Sequence, residues 1–174
     1  MADNSFISEK SIITNADIGK NVKIWHYCNI YGCKIGNNTQ IGSYCEIKKN
    51  AKIGENCRIQ AFVFIPENII IGNYVFIGPH VVFTNDKYPT AVKAISSSWK
   101  CEETKVGDNV SIGAGAIICP GIKIAEATII GAGSCLTKDT NAFSVVAGNP
   151  AKKIADIRDK KYAKIYKDII DIYA

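Results

Sequence analysis

The chain has 174 residues, 47% of them hydrophobic, which is enough for one domain with its own core. Its net charge of +5, without interleaved basic and aromatic residues, argues against a nucleic-acid role. The N-terminal sequence MADNSFISEK is polar, and no apolar run is long enough for a signal peptide or a membrane span. A cytoplasmic protein without membrane insertion is therefore expected.

Isoleucine recurs every six residues along most of the chain. The anchors fall in three registers: Ile12, Ile18, Ile24 and Ile30; every sixth residue from Ile35 to Ile77; and Ile112, Ile118, Ile124 and Ile130 after Val106. A period of six fits neither the 3.6-residue period of a helix nor the alternation of a simple strand. Each six-residue unit is therefore expected to form one short flat side of a solenoid.

Turn and core positions recur with the same period. Glycine often follows the anchor, as at Gly36, and asparagine, which tolerates a left-handed backbone, often comes two residues later, as at Asn38. A small or β-branched residue four places after the anchor is expected to fill a narrow core. Three of the seven cysteines occupy that position and do not indicate a disulfide framework: Cys28, Cys45 and Cys57.

This pattern resembles the hexapeptide repeat of left-handed parallel β-helix acyltransferases over roughly residues 12 to 140. Three units make one triangular coil in that family, which implies about six coils in a prism about 30 Å tall. The left hand is implied by the resemblance alone, because parallel crossovers in ordinary sheets are right-handed. The implied fold class is all-β, with residues 1–150 forming the β-helix acyltransferase domain and residues 151–174 a C-terminal α-helix.

The first break in the repeat is the five-residue interval between Ile30 and Ile35, which follows the run Trp25-His26-Tyr27-Cys28-Asn29. Bulky and polar side chains occupy outward positions here. The candidates for contacts with a sugar or a nucleotide are His26, Asn29 and Tyr31. A surface histidine without a function is equally common.

The second break is the segment from Thr84 to Lys105. Long insertions into compact domains are usually functional or disordered. The segment begins with Asn85, Asp86 and Tyr88, directly after a regular unit that carries His80. A binding cleft is therefore expected beside this loop.

The third break is the exit from the repeat after Thr140. Its segment AGNPAKKI resembles the ending of many hexapeptide acetyltransferases, where this stretch meets the adenine and phosphate end of acetyl-coenzyme A. The resemblance implies cofactor contacts at Asn149, Pro150, Lys152 and Lys153, and the excess of basic residues beyond Lys138 suits a phosphorylated ligand. Four isoleucines after this segment are expected on one helical face: Ile154, Ile157, Ile165 and Ile169.

Within the superfamily, three passages resemble enzymes that N-acetylate nucleotide-linked amino sugars for surface glycans such as lipopolysaccharide O-antigen: IWHYCNIYGCKIG, IGPHVVFTNDKYP and GNPAKKI. The resemblance implies acetyl transfer from acetyl-coenzyme A to a dTDP-linked 3-amino-3,6-dideoxyhexose or a UDP-linked 3-amino uronic acid. It also implies a homotrimer with a cleft between each pair of neighbouring subunits. No metal is expected.

The reaction needs a neutral amine, hydrogen-bond donors for the oxyanion and a proton acceptor. Backbone amides of the segments 113–115 and 131–133 are expected to meet the pantetheine arm; the residues are Gly113, Ala114, Gly115, Gly131, Ala132 and Gly133. Many relatives have a histidine where this chain has Asn85-Asp86. Asn85 is expected to hold the amine and the intermediate, and Asp86 to accept a proton or orient its neighbour. Asparagine is not a base, so His80 is the alternative base.

Three other readings compete with this one. In a carbonic anhydrase of the β-helix type, three histidines bind the zinc ion, and this chain has only two histidines. A non-enzymatic scaffold needs neither the long polar loop nor the GNPAKK exit. An acetyltransferase for a different acceptor, such as serine, a hydroxyl sugar or an antibiotic, shares the scaffold and stays open.

Overall fold

The computed structural model describes residues 4–96 and 98–174, in which nearly all regular structure consists of short strands. Neither of the two helices within these residues has the length and apolar content needed to cross a membrane. In chain order the elements are β1 (Phe6–Ile7), β2 (Ile12–Thr14), β3 (Asp17–Ile18), β4 (Lys23–Ile24), β5 (Asn29–Tyr31), β6 (Lys34–Ile35), β7 (Gln40–Ile41), β8 (Glu46–Ile47), β9 (Lys52–Ile53), β10 (Arg58–Ile59), β11 (Phe64–Ile65), β12 (Ile69–Ile71), β13 (Phe76–Ile77), β14 (Val82–Phe83), α1 (Ala91–Ile95), β15 (Thr104–Val106), β16 (Ser111–Ile112), β17 (Ile117–Ile118), β18 (Lys123–Ile124), β19 (Ile129–Ile130), β20 (Cys135–Leu136), β21 (Ser144–Gly148), β22 (Ala151–Asp156) and α2 (Lys167–Ile170).

The strands stack into three parallel sheets, which form the faces of a prism. Each turn of the chain contributes one strand to each face, so β1, β4 and β7 are neighbours on face A, β2, β5 and β8 on face B, and β3, β6 and β9 on face C. We call the turn after each face A strand the A/B corner, and name the B/C and C/A corners in the same way. The predicted all-β parallel β-helix is confirmed, and the arrangement is consistent with the left hand that the resemblance implies.

The prism is longer than the expected six coils, with as many as eight stacked parallel strands on face A. Face A contains eight parallel strands ending at β21, face B seven and face C six. The additional turns lie at the two ends, where the anchor spacing is irregular. At the N-terminal end Ile12 is 67% exposed, and it is Ile13 that pairs in register with Ile30 and packs against the core. The first coil therefore has a five-residue interval from Ile13 to Ile18, like the one from Ile30 to Ile35.

The core consists of the stacked anchors and the small residues behind them. The parallel register places each anchor directly beside the anchor of the next coil, as with Ile41, Ile59 and Ile77 on face A. All three are essentially inaccessible to solvent. Every residue that the repeat predicted for the small inward position is buried, including Cys28, and all seven cysteines are free. The predicted core is therefore confirmed.

The corners also follow the prediction. Asn38 has a φ of 58°, in the left-handed region that asparagine adopts at low cost. Glycine after the anchor is needed where consecutive coils approach closely, because a Cβ on Gly54 would lie 2.4 Å from the carbonyl oxygen of Gly72. Local backbone preference and coil stacking thus agree at these turns.

The long loop and the C-terminal segment depart from the prism. After β14 the chain leaves the prism at Thr84 and rejoins face C at Thr104, one residue before the predicted end of the loop. The loop contains α1, which Thr90 caps by accepting a hydrogen bond from the Lys93 N–H.

The predicted helix over residues 151–174 is wrong in extent. Residues 151–156 form β22, which pairs antiparallel with β21, because the end of face A offers unpaired backbone groups. The helix is confined to α2.

The isoleucines expected on one C-terminal helical face are separated by this change. Ile157 is fully buried and packs with Ala127, Ile129 and Val145, whereas Ile154 and Ile165 are exposed. Ile169 also packs against this cluster, together with Tyr166 and Ile170. The segment after β22 therefore folds over the end of face A through one small apolar cluster, not through a helical stripe that contains all four isoleucines.

Thr39 provides a test of coil-to-coil hydrogen bonding. Its fully buried hydroxyl donates to the Gly54 carbonyl at 2.9 Å and accepts from the Cys57 N–H at 3.1 Å. Thr39→Val keeps the shape but leaves both backbone groups unpaired, so we expect a loss of about 1–3 kcal/mol in the free energy of unfolding, measured by denaturant titration. Thr39→Ser keeps the hydroxyl and is the matched control. The prediction fails if the Val variant is as stable as the Ser variant.

Candidate functional site

A cleft of about 440 Å³ lies where the long loop leaves the B/C corner. Lys48, Glu67 and Asn85 form one wall, because each follows a face B strand on successive coils. The loop forms the other wall, with its start, α1 and a tryptophan; the remaining lining residues are Asp86, Pro89, Thr90, Ala91, Ala94 and Trp99. The cleft predicted beside the loop is therefore present.

Hydrogen bonds join the three wall residues into a chain. The Lys48 ammonium lies 3.0 Å from Glu67 Oε1, and Asn85 Nδ2 donates to Glu67 Oε2 at 2.9 Å. Asn85 Nδ2 also lies 3.3 Å from the Cys101 sulfur, which itself donates to the Glu67 carbonyl. Within residues 4–96 and 98–174, Asn85 Oδ1 has no hydrogen-bond donor. This oxygen is thus the free polar end of the side chain.

Lys48 and Glu67 were missed by sequence reasoning, since both stand in regular repeat units. The signal that finds Glu67 is its spacing, since it precedes Asn85 by 18 residues, or one coil.

Two of the three wall residues, Lys48 and Glu67, are charged at neutral pH. Burial raises the pKa of the Glu67 carboxyl, but hydrogen bonds from its own backbone, Lys48 and Asn85 outweigh burial, so that its pKa lies below the ordinary value. The hydrogen bond with Glu67 raises the pKa of Lys48, and burial raises the pKa of the Cys101 thiol. The cleft therefore contains an ion pair beside a neutral thiol.

Asn85 and Asp86 both line the cleft, whereas Tyr88 does not; Asp86 and Tyr88 together line a smaller neighbouring pocket. Asp86 lines the cleft, and its Oδ1 accepts a hydrogen bond from the Tyr88 N–H at 2.9 Å, which shapes the start of the loop. The Tyr88 side chain is exposed and faces a smaller pocket on the other side of the loop, with Lys93 and Trp99.

His80 lies at the A/B corner, on the opposite edge of face B from Asn85. Its ring stacks on Phe62, Phe62 on Tyr44, and Tyr44 on Tyr27, with centroid separations of 4.8, 4.9 and 5.1 Å. We call these four residues the aromatic ladder. All have a left-handed φ near 60°, which is costly for bulky side chains, and the three at Tyr27, Tyr44 and Phe62 are about half exposed. Within one chain, His80 does not reach the Asn85 cleft.

The predicted sugar or nucleotide contacts lie three coils below His80. His26 Nδ1 is 2.5 Å from the Ser8 hydroxyl, and His26 lines a pocket of about 310 Å³ with Phe6 and Lys10. Asn29 is exposed and Tyr31 is half-buried on β5. None of the three predicted residues lines the Asn85 cleft.

Above His80 the A/B corner is bare. Gly115 and Gly133 replace the ladder residues on the next two coils, and an added Cβ at either would have no atom within 4 Å. The N–H groups of Gly115 and Gly133 donate to the coils below, whereas those of Ala114 and Ala132 have no acceptor in the described part of the chain. We call residues 113–115 and 131–133 the bare strip. The sequence-predicted backbone segments therefore form one continuous surface.

A second cavity, of about 330 Å³, lies between the last coil and the β21–β22 hairpin. Its lining includes Pro150, Lys152 and Lys153 as predicted, together with Lys138 and Ser144. The Ser144 hydroxyl is buried without a hydrogen-bond partner among the described residues. Asn149 is exposed in the turn of the hairpin. This cavity continues the line of the bare strip, because Gly131 approaches Ala147 on β21.

In the part of the chain that is described, no group of three His, Cys, Asp or Glu residues lies close enough together to hold a metal ion.

The repeat matches a known protein family. The sequence profile described as bacterial transferase hexapeptide (six repeats) matches residues 15–49, 32–66, 50–85 and 103–138, which together cover more than half of the chain. Among curated proteins, a chloramphenicol acetyltransferase from Klebsiella aerogenes is 40% identical over 72 residues, 41% of this chain and 34% of that protein. A galactoside O-acetyltransferase from Escherichia coli (strain K12) is 41% identical over 63 residues, 36% of this chain and 31% of that protein. The matches span about a third of the length of these relatives.

Solved structures share the fold over more of the chain. A mutant of AntD, an N-acyltransferase from Bacillus cereus in complex with dTDP and coenzyme A, has a TM-score of 0.73 at 23% identity, over 91% of this chain and 92% of that chain. A hexapeptide-repeat acetyltransferase from Vibrio cholerae O1 biovar eltor, complexed with acetyl-coenzyme A, has a TM-score of 0.63 at 26% identity, over 74% of this chain and 72% of that chain.

Proposed function

This chain belongs to the bacterial transferase hexapeptide family, and we propose that it is an acetyl-coenzyme A-dependent N-acetyltransferase. Its acceptor is the amino group of a nucleotide-linked 3-amino sugar, with dTDP or UDP as the nucleotide, used in surface-glycan biosynthesis. The observation that carries the proposal is the Asn85 cleft, in which an amide oxygen that can accept a hydrogen bond stands on a rigid coil beneath a long loop, with the Asp86 carboxylate beside it. The AntD complex with dTDP and coenzyme A supports the choice of ligands.

The bare strip is the proposed binding site of the pantetheine arm of acetyl-coenzyme A. The exposed N–H groups of Ala114 and Ala132 point from adjacent coils, and two amide acceptors of an extended arm can pair with them as an added strand would. The cavity beyond the strip, with Lys138, Lys152 and Lys153, supplies positive charge for the phosphates and space for the adenine. Asn149 and Pro150 lie at its rim.

The proposed chemistry relies on positioning. The amine nitrogen attacks the thioester carbonyl, the N–C bond forms, and coenzyme A leaves as the C–S bond breaks. Asn85 Oδ1 accepts a hydrogen bond from the amine, and backbone N–H groups stabilise the oxyanion. The proton passes to Asp86 or solvent, with His80 as the alternative acceptor. His26, Asn29, Tyr31 and Tyr88 remain proposed contacts of the nucleotide and sugar.

A homotrimer accounts for the separation of these parts. The bare strip and His80 occupy one edge of face B, and the Asn85 cleft occupies the other, so one chain does not bring acetyl group and amine together. A second copy whose A/B corner faces this B/C corner closes that gap. The outward side chains support the choice of surface: face B carries the exposed apolar residues Val82 and Ile117, whereas face C carries lysines at Lys34, Lys52, Lys105 and Lys123.

An acetyltransferase for another small acceptor is the second candidate. The observation that favours it is the sequence identity to the chloramphenicol and galactoside enzymes, which is about 40% over part of the chain. The fold and the coenzyme site are common to both candidates, and only the acceptor differs.

Thiol release from acetyl-coenzyme A tests the function. We expect release with at least one member of a panel of dTDP- and UDP-linked 3-amino sugars, and none with the corresponding 3-hydroxy sugars, chloramphenicol or serine. Asn85→Ala should lower kcat by about 100-fold with little change in KM for acetyl-coenzyme A, because the side chain acts on the reacting amine. Release with a hydroxyl acceptor alone would establish the second candidate.

The coenzyme strip is tested with proline. Ala132→Pro removes one free N–H at a corner position where Pro79 already stands two coils below, so the backbone accommodates the ring. We expect KM for acetyl-coenzyme A to rise by about 2- to 10-fold at nearly constant kcat. Ala61→Pro, at the same corner but below the strip, is the control and should leave KM unchanged. Equal effects of the two variants would contradict the assignment.

The assembly surface is tested with a charge on the aromatic ladder. Phe62→Glu places a carboxylate in the proposed interface, where its burial is costly, and we expect the trimer to dissociate into chains of 18.9 kDa by light scattering. Tyr74→Glu is the matched control, since Tyr74 is also exposed with a left-handed φ but lies at the C/A corner. A Phe62→Glu protein of unchanged mass, or dissociation by both variants, would reject this surface.

A further inference from the structure

The side-chain amide of Asn85 can place either its oxygen or its nitrogen toward the cleft, and a neighbouring group must select between the two orientations. An asparagine side chain has nearly the same shape in its two flipped orientations, but flipping exchanges an acceptor for two donors. In the observed orientation Nδ2 faces Glu67 Oε2 at 2.9 Å and the Cys101 sulfur at 3.3 Å. The flipped orientation would bring the amide oxygen against the ionised carboxylate. Glu67 therefore selects one of the two orientations.

Glu67 is itself held on its other side. Its Oε1 pairs with the Lys48 ammonium at 3.0 Å, and its side chain is only 12% exposed. Lys48 and Glu67 stand on neighbouring coils, whose backbone hydrogen bond from the Lys48 N–H to the Ile65 carbonyl fixes their relative height. The order Lys48, Glu67, Asn85 thus alternates donor, acceptor, donor across three coils and ends at the cleft.

We propose that Glu67, held by Lys48, is the positioning residue that presents Asn85 Oδ1 to the amine of the acceptor. This inference rests on the proposed N-acetyl transfer at the same cleft. The amine N–H that Oδ1 accepts becomes more acidic as the nitrogen bonds to carbon, so this hydrogen bond strengthens during the attack. The charge of Glu67 behind the amide strengthens the acceptor further, since hydrogen bonds in a chain polarise one another. An acceptor of this kind requires a nucleophile that donates a hydrogen bond.

A purely structural role for Glu67 predicts different behaviour. The backbone carbonyl of Glu67 accepts a hydrogen bond from the Cys101 thiol, and the backbone carbonyl of Asn85 accepts one from the Glu102 N–H at 2.8 Å. These bonds anchor the end of the loop. If anchoring were the whole role, loss of the carboxylate would reduce stability and would leave kcat of the folded protein intact.

A reversed pair of substitutions separates the two roles. Glu67→Gln removes the charge, and Asn85→Asp places two carboxylates against each other, so each single change breaks the pattern. In the double variant the Gln amide oxygen accepts from Lys48, its nitrogen donates to the Asp carboxylate, and the second Asp oxygen faces the cleft. The total charge of the three side chains is the same as in the natural protein. The double variant therefore restores both connectivity and charge with the polarity reversed.

The four proteins are compared by kcat, by KM for acetyl-coenzyme A and by melting temperature, with the amino sugar that the natural protein acetylates. We expect each single variant to lose about 10- to 100-fold in kcat at unchanged KM for acetyl-coenzyme A, and the double variant to recover most of that loss. Glu103→Gln is the control for loss of a carboxylate outside the cleft, because Glu103 forms an ion pair of similar length, 2.9 Å, with Lys105, although that pair is about half exposed. It should retain full activity.

Two outcomes overturn the proposal. One is a Glu67→Gln protein with the kcat of the natural protein. The other is a double variant that recovers its melting temperature without recovering kcat, which would assign Glu67 to loop anchoring alone. A natural protein that releases no thiol with any amine is a separate result, which rejects the proposed function before Glu67 is tested.

Discussion

The parallel register between coils is the constraint on which the rest of the structure depends. Backbone N–H groups of one coil donate to carbonyl groups of the next, as from Gly36 to Ile53 and from Gly54 to Ile71. Because this register repeats without slipping, every position of a coil becomes a column that runs the length of the prism. Most inward columns contain apolar residues of similar size, and some outward columns become continuous strips of one chemical character. The aromatic ladder, the bare strip and the pair Glu67–Asn85 all lie in such columns.

The positions that form these columns are the ones that could be predicted from the sequence. A six-residue period identifies inward positions and corners directly, so the buried anchors, the small core residues and the left-handed asparagines followed from it. The period carries no information where it stops, and the errors lie there. At the N-terminal end the six-residue period predicts Ile12 as the anchor, whereas Ile13 occupies that position. At the other, the isoleucine spacing after Pro150 suggested a helix, but the open edge of β21 determines the structure by offering backbone partners. Hydrogen bonding at a sheet end depends on the neighbouring strand and not on local periodicity.

The candidate site follows the same division. Asn85 and Asp86 were identified because they interrupt the repeat. Lys48 and Glu67 were missed because they obey it, and their importance arises only from the residue one coil above. Conversely, His80 and Asn85 were grouped because they are near in sequence, although a single strand separates them onto opposite edges of face B. In a solenoid, proximity in space follows the coil spacing of about 18 residues more closely than it follows the sequence.

Two corners of the prism differ in what they leave for a ligand. At the C/A corner, side chains accept the backbone N–H groups of the coil below: Asn37 from Lys20, Asn73 from Glu55 and Asp108 from Asn73. At the A/B corner no side chain does so for Ala114 and Ala132 within the described residues, and glycine keeps other side chains away. The first corner is closed by its own sequence, whereas the second keeps donors for an external acceptor. The same backbone geometry thus yields one edge closed by side chains and one edge with free donors, which is the edge proposed to bind coenzyme A.

The nature of the residue at the cleft bears on the acceptor. A hydroxyl group is a poor nucleophile until a base removes its proton, whereas a neutral amine attacks a thioester with its own lone pair and loses a proton afterwards. Asn85 accepts a hydrogen bond but takes no proton, and the ionised Glu67 is committed on both oxygens to Lys48 and Asn85. A cleft built in this way accelerates a nucleophile that needs orientation more than deprotonation. The electron-withdrawing oxygens of a sugar ring lower the basicity of an attached amine and leave more of it neutral. The arrangement of Lys48, Glu67 and Asn85 therefore suits the proposed amino-sugar acceptor, and Asp86, which also lines the cleft, is the group proposed to take the proton after the attack.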